Sequence, residues 1–152
     1  MKHIESFIIE KLKINKNTKI NNYSYHPKDK DELKELVKQL IKERGNEADL
    51  NDIDTSKIID MSELFDNSNF NGDISEWDVS NVKNMYSMFY NSKFNGDISE
   101  WDVSNVENMN QMFNFSDFNV DISKWDVSNV KNMYYIFKKS PLEKNPPSWY
   151  HE

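Results

Sequence analysis

Three histidines, His3, His26 and His151, are the side chains best suited to moving protons near neutral pH. None stands at a metal-ligand spacing from another histidine or from a carboxylate pair, so a structural or solvated role is expected for each. Cysteine is absent, which removes disulfides, thiol nucleophiles and zinc–thiolate sites. There is no G-x-S-x-G elbow, P-loop or dinucleotide fingerprint. The residues nominate no catalytic group and no cofactor, and the chain is expected not to be an enzyme.

Carboxylates are the richer candidates. Asp54, Asp78, Asp102 and Asp126 recur every 24 residues, and Asp73, Asp97 and Asp121 form a second series. The series Asp78, Asp102 and Asp126 is a candidate acidic ladder. One use would be a row of calcium sites, because hard cations gather carboxylate and carbonyl oxygens. The other is local: short acidic side chains accept hydrogen bonds from the backbone at turns. A calcium site needs about six to eight converging oxygens, and a strand would hold the two series apart, so the local use is preferred and no metal is expected. A chelator or added calcium should then leave the melting temperature unchanged. A calcium-dependent rise of several degrees would make ligands of Asp78, Asp97, Asp102 and Asp121.

The elements that position these residues come from a 152-residue chain with a net charge of −7. Residues 1–53 hold 11 basic and 10 acidic side chains, whereas residues 54–152 hold 8 and 16. The balance is thus +1 against −8. Direct nucleic-acid binding and attachment to an anionic membrane are disfavoured, since both draw on clustered Lys and Arg. No apolar run approaches the roughly 20 residues of a membrane span, and MKHIESFIIE does not read as a secretory signal.

Trp77, Trp101, Trp125 and Trp149 lie 24 residues apart and divide the chain into units 54–77, 78–101, 102–125 and 126–149. Around Trp101, Ile98, Trp101 and Val103 read as one buried face of a short strand. Val106, Met109, Met112 and Phe113 follow at helical spacing, with Ser104 or Asn105 as cap. These residues and Phe118 are the expected core, as are Ile74, Trp77, Val79, Val82, Met85, Met88, Phe89 and Phe94 one period earlier. The expectation is an α/β repeat, a short solenoid with a strand and a short helix per unit. Residues 1–53 form its N-terminal segment and capping helix, and residues 54–149 its four units. The capping helix should run from about 30 to 44, with Asp29 and Glu32 as a capping box and Gly45 as its stop. Ile4, Phe7, Ile8 and Leu12 suggest a shorter helix before a polar connector. Pro141, Pro146 and Pro147 should end the ladder.

The run FNGDISEWDVSNVKNMYSMF resembles the repeat of the BspA-type leucine-rich-repeat surface proteins, which include mycoplasma-type surface lipoproteins. The resemblance covers residues 49–149, and YHPKDKDELKELVKQLIKERG resembles a leader associated with that repeat. It implies a right-handed, leucine-rich-repeat-like solenoid with an adhesive or interaction role. Surface members need an export signal or a lipid anchor, and neither is read here. A cytoplasmic location is therefore expected, or the cell surface if the chain is a processed fragment.

A stacked frame fixes core columns and frees outward ones. Ser62, Tyr86, Asn110 and Tyr134 make one outward column, and Glu63, Ser87, Gln111 and Tyr135 the next. Asp66, Tyr90, Asn114 and Lys138 make a third, and Asn67, Asn91, Phe115 and Lys139 a fourth. Tyr86, Tyr90, Phe115, Tyr134 and Tyr135 are accordingly candidate partner-binding residues, because exposed aromatics are enriched at interfaces. Scattered surface aromatics without a role are the alternative. The expected function is a non-catalytic protein-interaction module with a protein partner. Its alternative is an acidic decoy that inhibits a nucleic-acid-binding protein, of the kind a mobile element encodes. Oligomeric state is not specified by these residues.

Overall fold

The computed structural model describes residues 22–152. The short helix expected around Ile4, Phe7, Ile8 and Leu12 lies outside the described residues, as does His3.

One α-helix, α1, spans Lys30–Arg44. Asp29 is extended, and its Oδ1 accepts the Glu32 N–H at 3.0 Å. The Glu32 carboxylate accepts the Lys28 N–H at 2.8 Å, one residue before the donor that a capping box would use. Asp31 and Glu32 in the first turn and Lys42 and Arg44 in the last complement the helix dipole. Gly45 ends α1 at φ 94°, with its N–H on the Ile41 carbonyl at 2.8 Å. Leu33, Val37 and Leu40 are buried. Lys30 Nζ donates to Ser62 Oγ at 2.7 Å, and Lys34 Nζ lies 4.0 Å from Asp66. α1 therefore runs along residues 62–66.

The rest departs from expectation. Among the described residues no strand forms, and the only other helical element is a 3-10 turn at Pro141–Glu143. The α/β, leucine-rich-repeat-like solenoid with a strand and a short helix per unit is overturned. The chain after α1 is largely turns.

The turns have a local cause. In Asp97-Ile-Ser-Glu-Trp101, Asp97 Oδ1 accepts the Ser99 N–H at 3.0 Å and the Ser99 hydroxyl at 2.6 Å. Trp101 N–H then closes on the Ile98 carbonyl at 3.2 Å. Asp102-Val-Ser-Asn-Val106 repeats the device: Ser104 caps Asp102 at 3.1 and 2.6 Å, and Val106 closes on Val103 at 2.9 Å. Asn108 starts a third, accepting from Asn110 N at 3.0 Å, with Met112 closing on Met109 at 3.2 Å. Each is an Asx turn leading into a β-turn. The supposed strand is two such turns in succession.

The supposed helix fails on its backbone donors. A helix sends each N–H four residues back. Here Met85, Ser87, Phe89 and Asn91 donate to the carbonyls of Asn108, Asn110, Met112 and Asn114, all at 2.9 Å. Only Met88 and Tyr90 donate to nearby carbonyls, of Met85 and Ser87 at 3.2 and 3.1 Å, while Tyr86 donates to Asn84 Oδ1 at 3.0 Å. The rows beginning at Met61 and Met109 follow the same plan. Ser87 and Asn91 sit at φ 51° and 49°, with equivalents at Glu63, Asn67, Gln111, Phe115, Tyr135 and Lys139. Ser87 is the third residue of the Met85–Met88 turn, where type II geometry demands positive φ. Isolated parallel bridges link Asp60, Asn84, Asn108 and Asn132 in succession.

Burial keeps the 24-residue spacing. Ile98, Trp101, Val103, Val106, Met109, Met112, Phe113 and Phe118 are all buried, as are their counterparts from Ile74 to Phe94. Phe65, Phe89, Phe113 and Phe137 stack in sequence at 5.5, 5.6 and 6.0 Å. Trp77, Trp101, Trp125 and Trp149 donate Nε1–H to the carbonyls of Leu50, Ile74, Ile98 and Ile122 at 2.9, 3.2, 3.1 and 2.9 Å. That bond explains tryptophan rather than phenylalanine: the ring fills the core and its polar edge satisfies a carbonyl.

Candidate functional site

The Asp columns are exposed, apart from half-buried Asp54, and engaged locally. Asp78 and Asp126 each accept the N–H of the serine two residues on, as Asp102 does, at 3.0 Å. Among the described residues no three acidic or histidine side chains converge as a metal site. His26 lies outside any cluster, with Nδ1 3.3 Å from Asp54.

At Asp97, Asp126 and Asp73 such bonds favour the ionised carboxylate. The Ser99 hydroxyl and amide hold the Asp97 carboxyl below the usual carboxylate range. Ser128 does the same for Asp126, and Ser75, helped by Asn51, for Asp73. Asp52 is lowered by its bond with Arg44, at 2.9 Å, against an opposing push from burial. A carboxylate depressed in the folded state stabilises it fully above the unfolded pKa and ceases to do so as pH falls through the folded one. The melting temperature should therefore be flat from neutral pH down to about pH 5 and fall below about pH 4, where unfolded Asp takes up protons. Scanning calorimetry across that range checks it.

The aromatic candidates divide. Tyr134 and Tyr135 are 72% and 63% exposed and Phe115 is 49% exposed. Tyr86 and Tyr90 are half-buried, so they are less exposed than their columns suggested. Ser62, Ser87 and Asn114, expected to face outward, are buried. Tyr90 and Phe115 meet edge to face at 6.0 Å. Phe115 and Tyr135 hold φ of 58° and 56°, where an aromatic side chain is an outlier. The Phe115 column begins as an asparagine ladder, Asn91 Nδ2 donating to Asn67 Oδ1 at 2.8 Å, and Phe115 breaks it.

The last row has a feature that no side-chain pattern announced. Met133, Tyr135 and Phe137 correspond to the residues that donate to the next row in each earlier unit. Their N–H groups have no partner among the described residues, while the fourth, Lys139 N–H, is taken by Glu143 Oε2 at 3.1 Å. Met133, Tyr135 and Phe137 line a depression of ≈ 410 Å³ together with Tyr134, Tyr150 and His151, and with Lys131 and Lys138 balanced by Glu143 and Glu152.

A family model described as "Mycoplasma protein of unknown function, DUF285" matches residues 32–149. The chain belongs to the DUF285 family. No curated protein and no solved structure matches it. The DUF285 match begins inside α1 and ends on Trp149, so it takes in every tryptophan and every aromatic candidate. Among the described residues of this DUF285 chain, no helix is long and apolar enough to cross a membrane.

Proposed function

We propose that this DUF285 chain is a non-catalytic protein-interaction module, of a kind with the BspA-type surface repeats its sequence resembles. The observation that carries the reading is the pair Phe115 and Tyr135: exposed aromatics held at positive φ. Left-handed backbone costs an ordinary residue roughly 1–2 kcal/mol, and asparagine tolerates it. Strain of this kind, kept at an exposed position, supports a role in contact with something else. Phe115→Asn should continue the asparagine ladder and relieve the backbone. Loss of the Tyr90 contact offsets part of that, leaving a gain of about 1 kcal/mol. Urea denaturation of the variant measures it.

The functional test uses the same change. A partner crosslinked to the wild-type chain in its source cells should be lost from a folded Phe115→Asn, Tyr135→Asn variant. Retention of the same partner by that variant would sink the reading.

A second reading, the acidic decoy, draws on the exposed carboxylates of the Asp columns, among them Asp73, Asp97 and Asp126. It requires competition with nucleic acid and a steep loss of affinity with salt. A partner bound equally well in low and high salt would exclude it.

A further inference from the structure

We infer that Asn95–Gly96 is a self-modifying site. The Gly96 main-chain nitrogen displaces the Asn95 side-chain amide and leaves aspartate or isoaspartate, while the fold holds back the matching pair Asn71–Gly72. The change needs only water and is independent of any partner.

The residues narrow the choice to two places. The chain has three glycines, and Asn71 and Asn95 are the asparagines that precede one. Glycine has no Cβ to shield its nitrogen or to restrict the turn that brings it onto the neighbouring side chain. In the third unit Asn119 is followed by Val120, whose branched side chain obstructs that approach. Asn71 and Asn95 lie in identical runs, FNGDISEW, so a difference in their rates is set by the fold.

The atoms balance without an oxidant or a reductant. The Gly96 nitrogen gives up its proton and bonds to Asn95 Cγ. The Cγ–Nδ2 bond breaks, and ammonia leaves with that proton. Water then opens the five-membered imide at either carbonyl. One opening gives aspartate; the other gives isoaspartate, in which the main chain runs through the side-chain carbon.

Asn95 is placed for this reaction. Its side chain is exposed, so water enters and ammonia leaves freely. Its Oδ1 accepts the Asn119 N–H at 2.8 Å. That oxygen takes the negative charge when Cγ is attacked, and a donor already in position stabilises it. The N–H groups of Gly96 and Asp97 have no hydrogen-bond partner among the described residues. Asn95 N–H is held only by a side chain, Asn71 Oδ1, at 2.8 Å. No backbone–backbone bond ties residues 95–97, so the main chain is free to turn the Gly96 nitrogen onto Cγ.

Asn71 shares the exposure and the donor on Oδ1, but its main chain is pinned. Asn71 N–H donates to the Asn46 carbonyl at 2.7 Å and Asp73 N–H to the Ala48 carbonyl at 3.0 Å. Leu50 N–H donates to the Asp73 carbonyl at 2.9 Å, within the Asp49–Asp73 bridge. Turning Gly72 breaks bonds of this set, each worth about two- to tenfold in an equilibrium.

The two products act differently on the stack. Aspartate keeps an oxygen for the Asn119 N–H and adds a negative charge close in sequence to Asp97. Isoaspartate lengthens the main chain by one carbon and takes that acceptor out of register.

The test incubates the full chain in mildly alkaline buffer, folded and in urea, and locates the gain of about 1 Da by peptide mass mapping. In urea the two sites should convert at equal rates. In the folded chain Asn95 should stay within about tenfold of its unfolded rate, and Asn71 should fall at least about tenfold behind Asn95. Gly96→Ala, at a place filled by Val120 in the next unit, should fold and slow Asn95 by about tenfold or more. Equal rates at Asn71 and Asn95 in the folded chain would overturn the proposal, because conversion would then run through global unfolding. An intact Asn95 in the folded chain once the unfolded chain has fully converted would overturn it by showing that the fold protects both sites. An undiminished rate in folded Gly96→Ala would overturn the role of the Gly96 nitrogen.

Discussion

Replacing Trp101 by alanine should cost about 3–5 kcal/mol, the range for removing a buried large aromatic. Trp101 is only 5% exposed and packs 6.4 Å from the Phe89 ring. Its Nε1–H also satisfies the Ile74 carbonyl, so the truncation leaves both a cavity and a carbonyl without its donor. Trp101→Phe separates these effects: it keeps most of the ring and loses the bond, and should cost about 1–2 kcal/mol. Trp149, half-buried in the final unit, should lose only about 2 kcal/mol on the same truncation to alanine. Small domains hold about 5–15 kcal/mol in all, so Trp101→Ala is a large fraction of the total. Urea unfolding of the three variants measures the series. Equal, small losses at Trp101 and Trp149 would show that the tryptophan column does not hold the core.

Gly72→Ala should be the most damaging single-methyl addition. A Cβ at Gly72 would stand 2.0 Å from the Ala48 carbonyl and 2.6 Å from the Phe70 ring. The ring can shift, but the carbonyl cannot without breaking its 3.0 Å bond from Asp73 N and the Asp49–Asp73 bridge. Overpacking against fixed backbone should cost about 3 kcal/mol. At Gly96 the same carbon would stand 3.1 Å from the Gly72 carbonyl, so its main conflict is with the movable Phe94 ring at 2.7 Å. Gly96→Ala should cost about 1 kcal/mol. The next unit already carries Val120 at this position. Glycine is therefore a requirement of the first unit, whose residue 72 lies against the Ala48 segment that follows α1, rather than of the repeat. Equal denaturation midpoints for the two variants would refute that.

The core was legible because burial follows the 24-residue spacing whatever the backbone does between the buried positions. The elements were not. Ile98 and Trp101, Val103 and Val106, and Met109 and Met112 are pairs three residues apart that each close a β-turn. Three-residue spacing belongs to helices and to turns alike, and Trp101 with Val103 supplies two points of a strand pattern. The discriminating signal is the Asx residue that opens each turn, Asp-x-Ser at Asp97 and Asp102 and Asn108 at the third. The sequence shows the acids as local hydrogen-bond acceptors, but a single acceptor pair does not say that the device sets the whole backbone path. The capping helix was legible because α1 carries its own start and stop chemistry at Asp29 and Gly45. Of the candidate site, the exposure of Phe115, Tyr134 and Tyr135 followed from their columns. The half-burial of Tyr86 and Tyr90 did not, because those columns are not uniformly outward. The open row at Met133, Tyr135 and Phe137 consists of backbone groups, which every residue but proline carries, so no residue type marks it.

Native-state amide hydrogen exchange tests the central claim most directly, since that claim is a row-to-row backbone ladder that ends in open donors. The N–H groups of Met85, Ser87, Met109 and Gln111, bonded to the following row at 2.8–2.9 Å, should exchange slowly, near the global limit. Met133 and Tyr135, at the matching positions of the last row, should exchange much faster in the free chain. Protection of Met133 and Tyr135 equal to that of their inner counterparts would contradict the account.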